Sequence, residues 1–295
     1  KCRPWRLQPM SKVTLSKKTF DVLKNFSSIN SSIVFRKGST VRTISNAENI
    51  LAAFSSEEVF PMDFAIYDLS QFLSGITLFD NPELDFASSD FVSIRGGGKS
   101  ARYYFSDPEI TLKSAPEKNV KFPGADLQFN LTAEDLVALQ KASAVYSLPD
   151  LTFQSEEGSK EIKLILRDKE NDTSNTYEQS ISGSCTGDYS LDVKIENIRL
   201  FPGDYVVKVS KHLISEWTNQ NLDLKYFIAL EPWLLKHILF TLKGCAADDL
   251  DDEGFIRDVL YQTSIWCKST MLHLKSHKFE PQEIGRAHVW TPVTL

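Results

Sequence analysis

The chain has 295 residues, 33 Lys and Arg against 39 Asp and Glu, and 42% hydrophobic residues, which is typical of a soluble globular protein of two or three domains. A net charge of −6 argues against a protein that coats nucleic acid with its whole surface, but it permits one basic face. The four cysteines are far apart and no apolar run approaches eighteen residues, so we expect no disulfide framework, cysteine zinc site or membrane span.

The first predicted element is a helix near the start of the chain. Residues 1–9 show neither periodicity nor a helix cap, and Met10 reads like a normal protein start, so we interpret residues 1–9 as an upstream extension. From Ser16 to Ile29 the apolar residues recur at helical spacing, with Ser16 as the N-cap. The polar side of this helix carries Lys17, Lys18 and Lys24.

The next segments predict two hairpins and a second helix. Residues 33–45 form a strand-like run that Lys37-Gly38 breaks as a hairpin would, and residues 62–79 predict a mostly buried helix. Residues 91–106 predict a hairpin turned at Gly96–Gly98. The GGGKS sequence within it is not a phosphate loop, because Ser93 stands where that loop needs its first glycine and no helix follows.

The second half of the chain repeats the pattern of the first. Residues 116–124 are proline-flanked and polar, which predicts a linker. A helix then opens at Thr132 with a capping-box partner at Asp135, and LTAEDLVALQKA aligns with LSKKTFDVLKNF at an offset of 116 residues. Strands, a short helix in KIENIRLF and further strands follow. The sequence therefore predicts a duplicated α+β protein with domains at 10–115 and 116–232.

Catalytic and metal-binding residues are scarce in these two predicted domains. Residues 10–232 contain one histidine, His212, and one cysteine, Cys185, so neither a nucleophile–base pair nor a metal cluster is expected. Asp63 and Asp68 are interpreted as capping or surface groups. The helix lysines, with Lys141 as their counterpart in the second half, are either a solvated face or ammonium groups that contact phosphates; the pattern alone leaves both open.

The segments LSKKTFDVLKNFSSINS, DFAIYDLSQFLSGITLF, IENIRLFPGDYVVKVS and KYFIALEP carry a resemblance. Residues 10–232 resemble the sliding clamp of myovirus-type tailed phages, the processivity factor of their DNA polymerase. The resemblance implies a homotrimeric ring of two-domain subunits, with antiparallel sheets outside and helices lining a hole that holds duplex DNA without reading its sequence.

On this resemblance, five basic residues face the DNA: Lys17, Lys18, Lys24, Lys141 and, as a weaker candidate, Arg199. It further implies a protein with no catalytic activity and no cofactor, which works in the cytoplasm of the host cell. Its partners would be the DNA polymerase, which docks through a tail peptide, and an ATP-driven clamp loader, with a further role in late transcription in the family.

The composition changes near Pro232, since four of the five histidines follow it. Residues 236–282 resemble the start of prokaryotic S-adenosylmethionine decarboxylase, a pyruvoyl enzyme of spermidine synthesis, without its Glu-Ser-His motif. We therefore expect residues 233–283 to be a truncated, inactive, incomplete β-α-β fragment, and residues 284–295 to be an adapter-like tail. The alternatives to a clamp are this decarboxylase and a two-domain adaptor with no role on DNA.

Overall fold

The computed structural model describes residues 12–107, 113–117, 120–171, 173–231, 278–284 and 287–293. The chain divides into two compact units, residues 1–231 and residues 232–295. The predicted domain boundaries inside the first unit stay predictions.

The first half of the first unit contains two helices and eight strands. In chain order these are β1 (Lys12–Val13), α1 (Lys17–Ile29), β2 (Ile33–Phe35), β3 (Gly38–Ile44), β4 (Ile50–Phe60), β5 (Phe64–Ile66), α2 (Leu69–Ile76), β6 (Glu83–Asp85), β7 (Phe91–Gly96) and β8 (Lys99–Tyr104). The order is a strand, a helix and three strands, given twice.

The second half follows the same order. Its elements are β9 (Leu127–Leu131), α3 (Ala133–Tyr146), β10 (Asp150–Ser155), β11 (Glu161–Arg167), β12 (Tyr177–Cys185), β13 (Tyr189–Lys194), a single 3-10 turn (Ile195–Asn197), β14 (Tyr205–Ser210), β15 (Ile214–Asn219) and β16 (Leu224–Ala229). The 3-10 turn stands where the first half has α2. The chain is therefore a duplicated α+β protein, as its sequence predicts.

One antiparallel sheet of ten strands runs through both halves, in the order β13-β10-β11-β12-β9-β14-β15-β16-β4-β3. The halves join where β16 pairs with β4, in a register that sets Tyr226 opposite Ala52 and Leu224 opposite Phe54. A second sheet has the order β1-β6-β7-β8, and β2 pairs with β5. The halves are thus joined by backbone hydrogen bonds as well as by the chain that links them.

Local sequence explains where α1 and α3 begin. The Ser16 side chain accepts a hydrogen bond from the Thr19 amide, which satisfies a backbone donor that the first helical turn leaves without a partner. Thr132 and Asp135 form a reciprocal capping box at the start of α3. The helix ends at Ser147, which has φ 55° in the left-handed region. Both starts agree with the sequence-based prediction.

The core is continuous through the first unit. Phe35 stacks on Phe64 with ring centroids 4.5 Å apart, and Phe60 packs against both. In the second half Trp217 and Tyr205 are fully buried, and Trp217 packs against Phe153. These contacts between large aromatic side chains join strands within the core of each half.

Three predicted elements differ in the structure. The helix predicted over 62–79 begins only at Leu69, because residues 64–66 form the buried strand β5. The hairpin predicted over 33–45 is absent: β2 pairs with β5, and β3 pairs with β4. KIENIRLF forms one 3-10 turn rather than a helix, so the described residues hold three α-helices instead of the four predicted.

In the second unit the structure describes two paired strands, β17 (Lys278–Ile284) and β18 (Ala287–Val293). The strand and helix predicted between residues 236 and 269 lie outside the described residues, as does the predicted extension at residues 1–9. The truncated fragment and the adapter-like tail therefore stay predictions.

Candidate nucleic-acid interface

Helix α1 buries one side and exposes the lysines predicted from its sequence. Val22, Leu23 and Phe26 are fully buried. Lys17, Lys18 and Lys24 are exposed on the other side. The helix therefore exposes three ammonium groups to solvent, as a phosphate-binding surface requires.

The three lysines have different electrostatic environments. The Lys18 ammonium lies 2.5 Å from a carboxylate oxygen of Glu57, and both side chains are about half exposed. Lys17 and Lys24 form no ion pair with any residue that the structure describes. Because an exposed pair is weak and screened by salt, Lys18 can exchange Glu57 for another anion at little cost.

Glu58 holds the first turn of α1 against the sheet. Its carboxylate accepts hydrogen bonds of 2.5 Å from the Ser16 amide and from the Thr19 hydroxyl. Burial raises the pKa of Glu58, but the hydrogen bonds from Thr19 and Ser16 outweigh burial and leave that pKa below its usual value. The position of Lys17 and Lys18 at this end of the helix is thus fixed from β4.

The start of α1 also borders a cavity of about 350 Å³. Lys17, Lys18 and Asp21 line one wall, and the loops at Phe201–Pro202 and 219–222 line the other. The loops belong to the second half of the unit. Both halves therefore contribute to the surface around the lysines.

Arg199 lies in the loop after the 3-10 turn and is exposed. Its guanidinium donates to two main-chain oxygens, Ser28 O at 2.6 Å and Glu196 O at 2.9 Å. The Ser28 oxygen is in the last turn of α1, where a cation stabilises the helix. Arg199 therefore ties the two halves together, and its predicted contact with DNA stays a prediction.

Lys141 is exposed on α3 and forms no ion pair with a described residue. Its helix is attached to β12 through Asp135, which accepts hydrogen bonds from Thr132 and from the Gln179 side chain. The hydrogen bond from Thr132 is the main cause that lowers the pKa of Asp135; burial opposes it and Gln179 adds to it. Lys141 thus extends from a helix whose first turn is fixed to β12.

The structure gives no indication of metal chemistry or a membrane span in the part of the chain that it describes. There, no three His, Cys, Asp or Glu residues come together as metal ligands. None of the helices described is long and apolar enough to span a bilayer. Asp68 caps α2 by accepting from the Gln71 amide, and Asp63 accepts from the Lys37 amide and Arg36, which agrees with their interpretation as capping and surface groups.

Sequence reasoning missed the residues that position the lysines. Glu57 and Glu58 are 39 residues or more from their partners in α1, and Arg199 is 171 residues from Ser28. Such contacts leave no periodic signal in the sequence. Only the alternation of buried residues in β4 points to Glu57 as a surface residue.

A short part of the chain is similar to an enzyme. A stretch of 49 residues, 17% of the chain, is 39% identical to the S-adenosylmethionine decarboxylase proenzyme of Methanococcus maripaludis. The stretch covers 40% of that enzyme. This short match agrees with the resemblance to that enzyme and gives no support for a complete enzyme.

Solved structures share the fold of about three quarters of the chain. The proliferating cellular nuclear antigen of Entamoeba histolytica superimposes with a TM-score of 0.58 over 75% of this chain and 98% of its own length, at 14% identity. The Helicobacter pylori beta clamp superimposes with a TM-score of 0.53 over 74% of this chain and 66% of its own, at 17% identity. These similarities establish the clamp fold.

Sequence comparisons agree with the fold. Residues 14–96 match the family model of the DNA polymerase processivity factor. The sliding clamp of Vibrio phage KVP40 is 36% identical over 221 residues, which is 74% of this chain and 98% of the relative. That of Enterobacteria phage T4 is 26% identical over 65% of this chain and 84% of its own length. The chain therefore belongs to the sliding clamp family, the non-catalytic processivity factors of phage DNA polymerases.

Proposed function

We propose that three copies of the chain close into a ring around duplex DNA and keep a DNA polymerase on its template. One observation carries this proposal. Inside the subunit, β16 pairs with β4 and joins the two halves. The strands that take the places of β16 and β4 in the other half, β8 and β12, have edges without partners in the described part of the chain. A closed ring gives every such edge a partner.

The internal repeat identifies these counterparts. Hairpin β7–β8 corresponds to hairpin β15–β16, since Phe91 pairs with Tyr104 as Ile214 pairs with Ala229. Hairpin β11–β12 likewise corresponds to β3–β4. Inside the subunit, β16 pairs with β4. The same logic predicts that β8 of one subunit pairs with β12 of the next.

Both counterpart edges are open among the described residues. Strand β8 ends its four-stranded sheet. Residues 177–182 of β12 pair with β11 on one side, and only residues 183–185 pair with β9 on the other. An unpaired edge exposes N–H and C=O groups that invite another strand. Edge pairing between copies would satisfy both.

Exposed apolar side chains lie on or just after the two helices that are attached to these edge strands. Helix α2 lies over β8, because Tyr103 packs on Phe72 and its hydroxyl donates to Asp68 O. Leu78, just after α2, is 70% exposed, and Val145 of α3 is 74% exposed. Large apolar groups exposed to water mark an interaction surface when they cluster at an open edge. Pairing of β8 with β12 would bring α2 and α3 together and cover them.

The ring would place α1 toward the DNA, where Lys17, Lys18 and Lys24 contact phosphates. Contacts of this kind do not depend on base sequence, and they weaken as salt rises because counterions are released on binding. A net charge of −6 fits this arrangement, since the acidic outer surface repels DNA while the lysines attract it.

Peptide docking is the proposed mode of attachment to partners. Archaeoglobus fulgidus proliferating cell nuclear antigen was solved with the C-terminal region of FEN-1, and the H. pylori beta clamp with a DNA ligase peptide. By analogy, we propose that a polymerase tail docks on this clamp and that a loader opens the ring. We further propose that the protein acts in the host cytoplasm.

Two measurements test the ring. Sedimentation should give three times the chain mass of 33.4 kDa. Protein incubated at high concentration with nicked circular plasmid should stay with the DNA through gel filtration and leave it when a restriction enzyme linearises the circle. A monomer at all concentrations, or equal retention on linear and circular DNA, would contradict the proposal.

A further inference from the structure

The junction inside the subunit is organised around Asn25 of α1. The Asn25 amide donates to the main-chain oxygen of Arg199 at 3.2 Å, and its carbonyl oxygen accepts from the Tyr226 hydroxyl at 2.7 Å. Asn25 thus links α1 to the loop after the 3-10 turn and to β16, the strand that pairs with β4. Any equivalent junction must have a residue in this place.

The internal repeat puts Lys141 in the place of Asn25. The N-caps Ser16 and Thr132 are equivalent, and counting from each cap brings Asn25 and Lys141 to the same turn of their helices. Lys24, the lysine that points to the proposed DNA channel, corresponds instead to Gln140. On this count Lys141 faces the next subunit of the proposed ring rather than the DNA.

The group that faces Lys141 follows from the same repeat. The sequence IRLF at 198–201 matches ITLF at 76–79, so Thr77 takes the place of Arg199. Thr77 is the C-cap of α2, a helix with no basic residue in its last turn. No described residue donates to its main-chain oxygen. The end of α2 is therefore a partial negative charge without a cation.

We propose that Lys141 is a ring-junction residue whose ammonium donates to the C-terminal carbonyl groups of α2 in the next subunit, at or beside Thr77 O. The inference deepens the proposed ring and rests on it. Lysine near the end of a helix hydrogen-bonds the last carbonyls and interacts favourably with the helix dipole. Inside the subunit Arg199 makes the corresponding contact, from the other side, with the end of α1.

Burial at paired positions supports the equivalence. Leu200 is 8% exposed at the internal junction, whereas its counterpart Leu78 is 70% exposed. Ile29 is 6% exposed at the end of α1, whereas its counterpart Val145 at the end of α3 is 74% exposed. Apolar residues are thus present on both sides of the second junction, but they have no cover in a single subunit.

Side-chain volumes across the two strand pairs are complementary as well. Inside the subunit the large Tyr226 of β16 lies opposite the small Ala52 of β4, and both are fully buried. Counting along the hairpins puts Ala101 in the place of Tyr226 and Tyr177 in the place of Ala52. The junction between subunits would therefore set Ala101 of β8 opposite Tyr177 of β12, so that the large residue lies on the strand that takes the place of β4. The combined volume of the two facing side chains would be conserved.

The test compares two lysines that receive the same substitution in the full chain. Lys141→Met keeps the side-chain stem and removes the ammonium, and Lys24→Met is the matched control. Trimer dissociation is followed by sedimentation over a range of concentrations, and DNA association by its dependence on salt. Circular dichroism checks that both variants fold.

We expect Lys141→Met to raise the protein concentration at which half of the trimer has dissociated by at least about fivefold over the wild type. The salt slope of DNA binding, measured on intact trimer, should stay unchanged. Lys24→Met should leave the dissociation concentration unchanged and reduce the salt slope. A Lys141→Met trimer as stable as the wild type, with or without a smaller salt slope, would overturn the inference while leaving the ring intact. A wild type that never trimerises would overturn the ring itself.

Discussion

Asn25 and Tyr226 lie 201 residues apart in the chain, and a hydrogen bond of 2.7 Å joins the tyrosine hydroxyl to the asparagine carbonyl oxygen. The same hydroxyl accepts from the Phe201 amide at 3.1 Å. Burial raises the pKa of Tyr226 far above its usual value, so the hydroxyl stays protonated and remains a donor. One side chain thus satisfies polar groups from both halves.

Replacement of this hydroxyl should loosen the internal junction. We expect Tyr226→Phe to lower the free energy of unfolding by about 1–3 kcal/mol, because it leaves the Phe201 amide without a buried acceptor. Urea denaturation at a fixed protein concentration measures the change. Tyr104→Phe is the control: Tyr104 is 64% exposed, and its change should be close to zero. Equal effects would contradict the role of Tyr226.

The basic surface of α1 predicts a change in salt dependence without a change in base preference. Lys24→Ala should reduce the slope of log affinity against log salt by about one unit for each phosphate that the lysine neutralises, so by as much as about three in a trimer. Fluorescence anisotropy on two unrelated duplexes measures it. Lys160→Ala removes an exposed lysine from the β10–β11 turn and should leave the slope unchanged. A preference between duplexes would argue against phosphate contacts.

The exposed residue after α2 predicts a variant that remains folded but does not assemble. Leu78→Asp should shift the protein from trimer to monomer in sedimentation, because a carboxylate would then be buried without a partner at the junction. Its circular dichroism should match the wild type, since Leu78 is exposed in the subunit. Val59→Asp, at another exposed apolar position, should stay trimeric. A trimeric Leu78→Asp would place the junction elsewhere.

The carboxylate that caps α3 predicts a dependence on pH. The hydrogen bond from Thr132 lowers the folded-state pKa of Asp135 below its usual value of 3.8. Its contribution to stability is therefore complete above the unfolded pKa and is lost as pH falls through the folded one. Asp135→Asn should cost about 1 kcal/mol at pH 6, and the cost should shrink below pH 4. Urea midpoints from pH 6 to 3 measure it, and Glu134→Gln, which removes the neighbouring exposed carboxylate, is the control.

The segment after the clamp unit carries a prediction about the gene. The first unit ends at Glu231, and the phage KVP40 relative is covered over 98% of its length. We expect the codon for Trp233 in the genomic clone to be UGA, read through as tryptophan. A UGG codon at position 233 would refute the read-through.

Elements with strong local signals could be predicted from the sequence. The starts of helices α1 and α3 were predictable, because the caps Ser16 and Thr132 bond to amides only three residues further along the chain. The apolar spacing that follows each cap is also a local feature of the sequence. Strand β5 was missed because a short, fully buried strand has no polar alternation, so its apolar residues extend the apparent helix.

The candidate site was predictable in its charges but not in its geometry. Helical periodicity puts Lys17, Lys18 and Lys24 on the polar side of α1, and all three are exposed. The pairing of Lys18 with Glu57 depends on contacts between segments far apart in the chain. The role proposed for Lys141 rests on a comparison of buried residues in one half with exposed residues in the other, and the sequence alone does not supply this comparison.

The connector between the halves makes their junctions unequal in one respect. Lys113 donates to Asn46 O at 2.7 Å, and Arg42 donates to Glu117 O at 2.7 Å, so the connector is fastened to the outer strand of the first half. If β16 and β4 separate, their high effective concentration returns them to one another at any dilution. Strands from different copies would have no such tether, so dilution alone would open the proposed ring at its three subunit junctions.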